Sequence, residues 1–147
     1  MSSVEYHWEF AEQLETLAAT DISAFSDVVN LVKALDGYGH EIEGDDHASD
    51  LSHPIVSSRL DLWALRRTPP TWAAPDAAGP PVLRIPYVWM SDERGREYAL
   101  VLFIGDKTDL GNAWYPRAVT RIEGTMIPVW EGQHPGHRAR PKRRRTW

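Results

Sequence analysis

At 147 residues, 42% hydrophobic and 25% charged, the chain fits one soluble domain with a sizeable core. The absence of cysteine excludes disulfides and thiolate metal sites, and the longest apolar run, residues 99–104, is far too short to span a membrane. The net charge of −5 is uneven: residues 138–147, RARPKRRRTW, hold six of the sixteen Lys and Arg, leaving ten bases against twenty-one acids, or −11, on residues 1–137. Such a body repels a polyanion at long range, whereas the basic end attracts one.

The chain opens on VEYHWEF (4–10), whose alternation of β-branched, aromatic and polar residues predicts a short strand at its start. No basic start with a following apolar stretch is present, so a cytoplasmic protein is expected. From Trp8 to Ala18 the residues Phe10, Ala11, Leu14, Leu17 and Ala18 fall at helical spacing. Asp21 is placed to cap a second helix, with Ile22, Phe25, Val28, Val29, Val32 and Leu35 on one face and Gly37 and Gly39 at its end. A short link between the two makes a helical hairpin.

Residues 40–58 are polar and rich in turn formers, and are read as a loop. Three apolar segments follow: RLDLWALRR (59–67), PVLRIPYVWM (81–90) and EYALVLFIGD (97–106). The third is apolar on both faces, as expected of a covered central strand. SDERGR between the last two predicts a hairpin turn. Pro86 cannot donate to a ladder and implies an edge position or a bulge. TPPTWAAPDAAGPP (68–81), with five prolines, reads as an extended loop. PRAVTRIEG predicts a helix with Pro116 in its first turn. The expectation is an α+β domain over residues 1–130, a helical hairpin packed on a small, mostly antiparallel twisted sheet with a C-terminal helix. Residues 131–147 read as a disordered basic tail.

LVLFIGDKTDLGNAWY (100–115) raises a nucleotide-loop reading, because an apolar run breaks into Gly, Lys and Thr. A phosphate loop needs G-x-x-x-x-G-K-[ST], and here Asp106 precedes Lys107 with no glycine at the first position. His40, His47 and His53 stand near Asp45, Asp46 and Asp50, but no spacing among them matches a metal motif, so a solvated acidic loop is the reading there and no metal or cofactor is expected. A wider set is more informative. Arg66 ends the first central strand, Arg84 lies in the second, and Lys107, Tyr115 and Arg117 follow the third. If those strands are neighbours, the cationic and phenolic groups converge. Arg84 has apolar flanks and needs a partner, either a ligand or one of Asp61, Asp106 and Glu97.

In order and spacing these segments resemble the toxins of the RelE/ParE superfamily of type II toxin–antitoxin modules, particularly the RelE/HigB-like branch of phages and actinobacteria. LDLWALRR is similar to the family's leucine-rich strand ending in E-L-R. VLRIPYVW is similar to its R-[VI]-x-Y-[VF] strand, and LVLFIGDKT to its L-L-x-G-x-x-K-[KT] strand and loop. GDKT…WY resembles a subgroup that continues into a C-terminal helix. The resemblance covers roughly residues 4–123. It implies a ribosome-dependent mRNA endoribonuclease that inhibits translation, in which the ribose 2′-OH attacks the scissile phosphate without a metal. Arg66 and Arg84 would hold that phosphate, Lys107 would stabilise charge, and Tyr115 would transfer protons. Trp114 and Arg117 would bind RNA, with Arg138, Arg140, Lys142, Arg143, Arg144 and Arg145 of the basic end adding attraction to polyanions. The implied partners are mRNA, the ribosome and a cognate antitoxin protein, with no membrane and no small molecule. Two alternatives stay open: a non-catalytic binder on the same fold, either a gyrase inhibitor or an inactive homologue, and a small structural phage or plasmid protein.

Overall fold

The computed structural model describes residues 4–43, 51–66, 83–108 and 110–142. The proline-rich segment 68–81, His47 with its neighbouring acids, and Arg143, Arg144 and Arg145 lie outside the described residues. The chain runs β1 (Val4–Tyr6), α1 (Trp8–Thr20), α2 (Ile22–Tyr38), a 3₁₀ turn (Gly39–Glu43), β2 (Ser52–Pro54), β3 (Leu62–Arg66), β4 (Leu83–Ser91), β5 (Glu97–Val101), β6 (Gly105–Asp106), α3 (Trp114–Arg121), a π-helical stretch (Ile122–Met126), α4 (Ile127–Gln133) and β7 (Arg138–Ala139). It is an α+β fold. Among the described residues no helix is long and apolar enough to cross a membrane.

The sheet order is β1-β5-β4-β3-β2, with β1 parallel to β5 and the other neighbours antiparallel. Alternation along each strand divides the core in two. Trp63, Leu65, Ile85, Tyr87, Trp89, Ala99 and Val101 face the helical hairpin and meet Phe10, Val28, Leu31, Val32 and Leu35. Leu62, Ala64, Val88, Met90, Tyr98 and Leu100 face the opposite way and are covered by Trp114, Ala118, Ile122, Met126 and Trp130. The C-terminal helical run therefore covers the face that the hairpin leaves open. Asp21 caps α2 as expected, its Oδ1 accepting from the Ala24 amide at 3.1 Å. The buried stripe of α2 is rotated from the expected one: Ala24 and Leu31 are inside, while Ile22 is 67% exposed. Burial against a sheet selects the stripe that meets it, and hydropathy at the first turn does not decide that.

Pro86 is accommodated by a bulge. On one flank of β4, Tyr87 pairs with Val101 and Arg84 with Gly105. Two residues of β4 thus face three of the partner, Leu102, Phe103 and Ile104. The Pro86 carbonyl accepts from the Leu102 amide at 3.0 Å, and the absent Pro86 N–H would point to the same flank. Gln13 of α1 closes the interruption. Its amide oxygen accepts from the Ile104 N–H at 2.7 Å and its amide nitrogen donates to the Ile104 carbonyl at 3.1 Å.

Two expectations are corrected. The 40–58 segment is not wholly loop, because Ser52–Pro54 pairs with β3. Residues 131–142 are not a free tail. The helix continues to Gln133, and β7 pairs antiparallel with β4, Met90 opposite Ala139. Arg140 N–H then donates to the Trp89 carbonyl and Lys142 N–H to the Arg59 carbonyl, each at 2.9 Å. Backbone groups left open on β4 beyond β3 supply the partners that this segment's side chains do not. Pro128 sits inside the helical run, and the wide π turn before it relieves the clash of its ring with the carbonyl four residues earlier.

Candidate functional site

The pleat sends His53 of β2, Arg66 of β3 and Arg84 of β4 to the face covered by α3, as Ser52, Leu65 and Ile85 turn to the hairpin. Arg66 and Arg84 lie directly opposite each other across β3 and β4. Like charges so placed repel, and an anion between them relieves that repulsion. Lys107 follows β6, and Tyr115 comes down from the first turn of α3. Together with Pro54, Val56 and Asn112 these five side chains line one open cavity of about 330 Å³.

A hydrogen-bond chain runs through it. His53 Nδ1 lies 3.3 Å from the Pro54 carbonyl oxygen, which can only accept, so in the neutral ring Nδ1 carries the proton and Nε2 is the acceptor. The Tyr115 hydroxyl, 3.0 Å away, therefore donates to Nε2, and Arg84 Nε–H donates to the Tyr115 oxygen at 3.1 Å. Arg84 also donates to the Leu83 carbonyl at 2.8 Å, and Lys107 Nζ stands 5.0 Å from the centre of the Tyr115 ring while donating to Asn112 Oδ1 at 3.2 Å. Burial, reinforced by the charges of Arg66, Arg84 and Lys107, lowers the His53 pKa to about 4. The imidazole is thus neutral at physiological pH, in part because it lies among cations.

Beneath the cavity a buried polar network holds β2 to β4. Ser52 Oγ and Tyr87 Oη are 2.7 Å apart, and Tyr87 Oη–H and Trp89 Nε1–H both donate to Glu43 Oε2 at 2.6 Å. Burial raises the Glu43 pKa against the opposing effect of these hydrogen bonds and of His40. Because Ser52 is held in this network, its neighbour His53 is aimed into the cavity.

Of the residues singled out in the sequence, Arg66, Arg84, Lys107 and Tyr115 come together. Arg84 bonds only Tyr115 and Leu83 among the described residues and meets none of the three carboxylates considered for it. Asp61 accepts from Trp63 Nε1, Glu97 pairs with Arg140 and His40, and Asp106 caps a local turn through Thr108. Asp106 therefore does not pair with Lys107. Trp114 is corrected: it is 8% exposed, with its indole on Gly105 and its ring edge-to-face with Phe103, so it offers no free face for a base. Arg117 is exposed on α3, outside the cavity lining. The basic end divides: Arg138 is exposed and Arg140 pairs with Glu97 at 3.0 Å, whereas Lys142 Nζ donates to the Val56 carbonyl at the cavity rim. Sequence reasoning missed His53 and Asn112. The only local sign of His53's role was Ile55–Val56, an apolar pair just after it in an otherwise polar stretch.

Fold and site together define an α+β protein with an open cavity walled by three cations, a phenol and a neutral imidazole. Comparison of the chain with protein-family models, curated proteins and solved structures finds no match in any of the three.

Proposed function

We propose that this cavity binds and cleaves RNA, and that the protein is the endoribonuclease toxin of a type II toxin–antitoxin module. The observation that carries the reading is that Arg66, Arg84, Lys107 and Tyr115 line one cavity with His53. Cleavage by 2′-OH attack needs cations on the non-bridging oxygens, a group that takes the 2′-OH proton and one that protonates the leaving 5′-oxygen. Two guanidinium forks and an ammonium suit the first need, and the Tyr115 phenol, hydrogen-bonded to His53 behind it, suits protonation of the leaving oxygen. The substrate in this reading is mRNA on the ribosome, and a cognate antitoxin silences the protein.

The test is to express the protein alone and map mRNA 5′ ends. Growth arrest with cuts phased to the translated frame, abolished by Arg84→Ala, supports the reading. A second reading, a non-catalytic binder on this fold, is favoured by the net charge of −11 on residues 1–137 and by the Arg140–Glu97 pair, which occupies one cation of the basic end. It predicts arrest without cuts. No arrest at any expression level overturns both toxin readings, the nuclease and the gyrase inhibitor.

A further inference from the structure

The cavity brings together three cations and a titratable ring that its own hydrogen bonds have fixed in one tautomer. The groups facing His53 are Arg66 from β3, Arg84 from β4, Lys107 after β6 and Tyr115 from α3. With the cavity empty, a proton on His53 would be a fourth positive charge in that space. A phosphate diester docked on Arg66, Arg84 and Lys107 changes the sign of the balance, because its charge offsets the neighbours that oppose protonation.

We propose that the cavity is a proton-linked phosphate-ester site, in which His53 takes up a proton from solvent as the anion docks and thereby turns the Tyr115 hydroxyl toward the ligand. The inference rests on the phosphate-ester reading of the cavity given above. The switch follows from donor counting. With Nδ1 carrying the ring proton, Tyr115 O–H donates to His53 Nε2. Once Nε2 carries a proton it must donate, and the acceptor 3.0 Å away is the same Tyr115 oxygen, which already accepts from Arg84 Nε. Both lone pairs of the phenol oxygen are then used, and its proton is free to face an oxygen of the bound ester. No covalent bond changes in this step; one proton moves from water to Nε2. Docking thus arms Tyr115 as a hydrogen-bond donor to the ester, with His53 acting behind it as a positioning residue.

The probe is thymidylyl-(3′→5′)-thymidine, a diester that lacks the 2′-OH, is not cut by this route and stays a monoanion over the range used. The His53 imidazole of the full chain is followed by NMR during pH titration, without and with saturating dinucleotide. The expected result is a midpoint near about 4 alone that rises by one pH unit or more in the complex, equivalent to at least tenfold tighter binding to the protonated form. His53→Gln should bind the dinucleotide with an affinity that no longer rises as pH falls. Binding with an unmoved His53 midpoint overturns the linkage and leaves the nuclease reading intact. A linked titration in a protein that cuts no RNA does the reverse. No binding at any pH overturns the phosphate site itself.

Discussion

The Trp114 indole lies on the Cα of Gly105 so closely that a Cβ there would meet its Cζ2 carbon at 2.2 Å. This contact seats α3 on the sheet one residue before Tyr115, and it explains a glycine where an apolar strand would otherwise continue. Gly105→Ala is expected to cost about 1–3 kcal/mol by overpacking, because the rigid ring must move with its helix. An unfolding free energy from urea titration lowered by that amount, with an unchanged slope, checks it. An unchanged midpoint would mean that α3 shifts freely and does not fix Tyr115.

Gln13 stands in for a strand at the bulge, bonding both backbone groups of Ile104. Gln13→Leu keeps the apolar bulk but leaves the Ile104 N–H and C=O without their partner. The expected loss is about 1–3 kcal/mol in a denaturant titration. A change within error would show that water replaces the amide without penalty.

Stability near His53 depends on pH with a defined sign. Its folded pKa of about 4 lies below the ordinary histidine value, so below that ordinary value the unfolded chain binds more protons. The contribution is fully present above about pH 6.5 and is lost as pH falls toward about 4. Relative to His53→Gln, the native protein should lose roughly 2 kcal/mol across that window, once solvent screening of a half-buried ring is allowed for. Parallel stability curves for the two proteins would contradict this.

Glu43 acts in the opposite sense. Burial raises its folded pKa, so its protonated form is favoured in the native state, and its contribution is full below the ordinary glutamate range and is lost as pH rises through the raised value. Comparing Glu43→Gln with the native protein by urea unfolding at several pH values should show the native protein losing ground as pH climbs out of that range. A difference that is flat with pH would mean that the Tyr87 and Trp89 hydrogen bonds fully offset the burial.

At Arg84 charge alone should not suffice. Its Nε–H holds the Tyr115 oxygen while NH1 donates to the Leu83 carbonyl, a fork that an ammonium cannot reproduce. In an RNA-cleavage assay Arg84→Lys should fall by about 10²-fold, because the Tyr115 oxygen loses its fixed donor. Retention of most activity would reduce Arg84 to a source of charge.

Long, periodic segments were legible without coordinates. The hydrophobic alternation of β4 and β5, the helical spacing in α1 and α2, the Asp21 cap and the need for an edge or a bulge at Pro86 all follow from local chemistry, and the structure chose the bulge. So does the set Arg66, Arg84, Lys107 and Tyr115, because polar groups on or just after apolar strands are aligned once those strands pair. His53, the ordered 138–142 segment and the burial of Trp114 were decided only by tertiary structure. Strands of three and two residues carry no period of their own; β2 exists because β3 offers a partner, and β7 because β4 extends past β3. A tryptophan beside a tyrosine reads alike whether it faces solvent or lies on a glycine across the sheet, and only packing α3 over Gly105 makes it a support for the site.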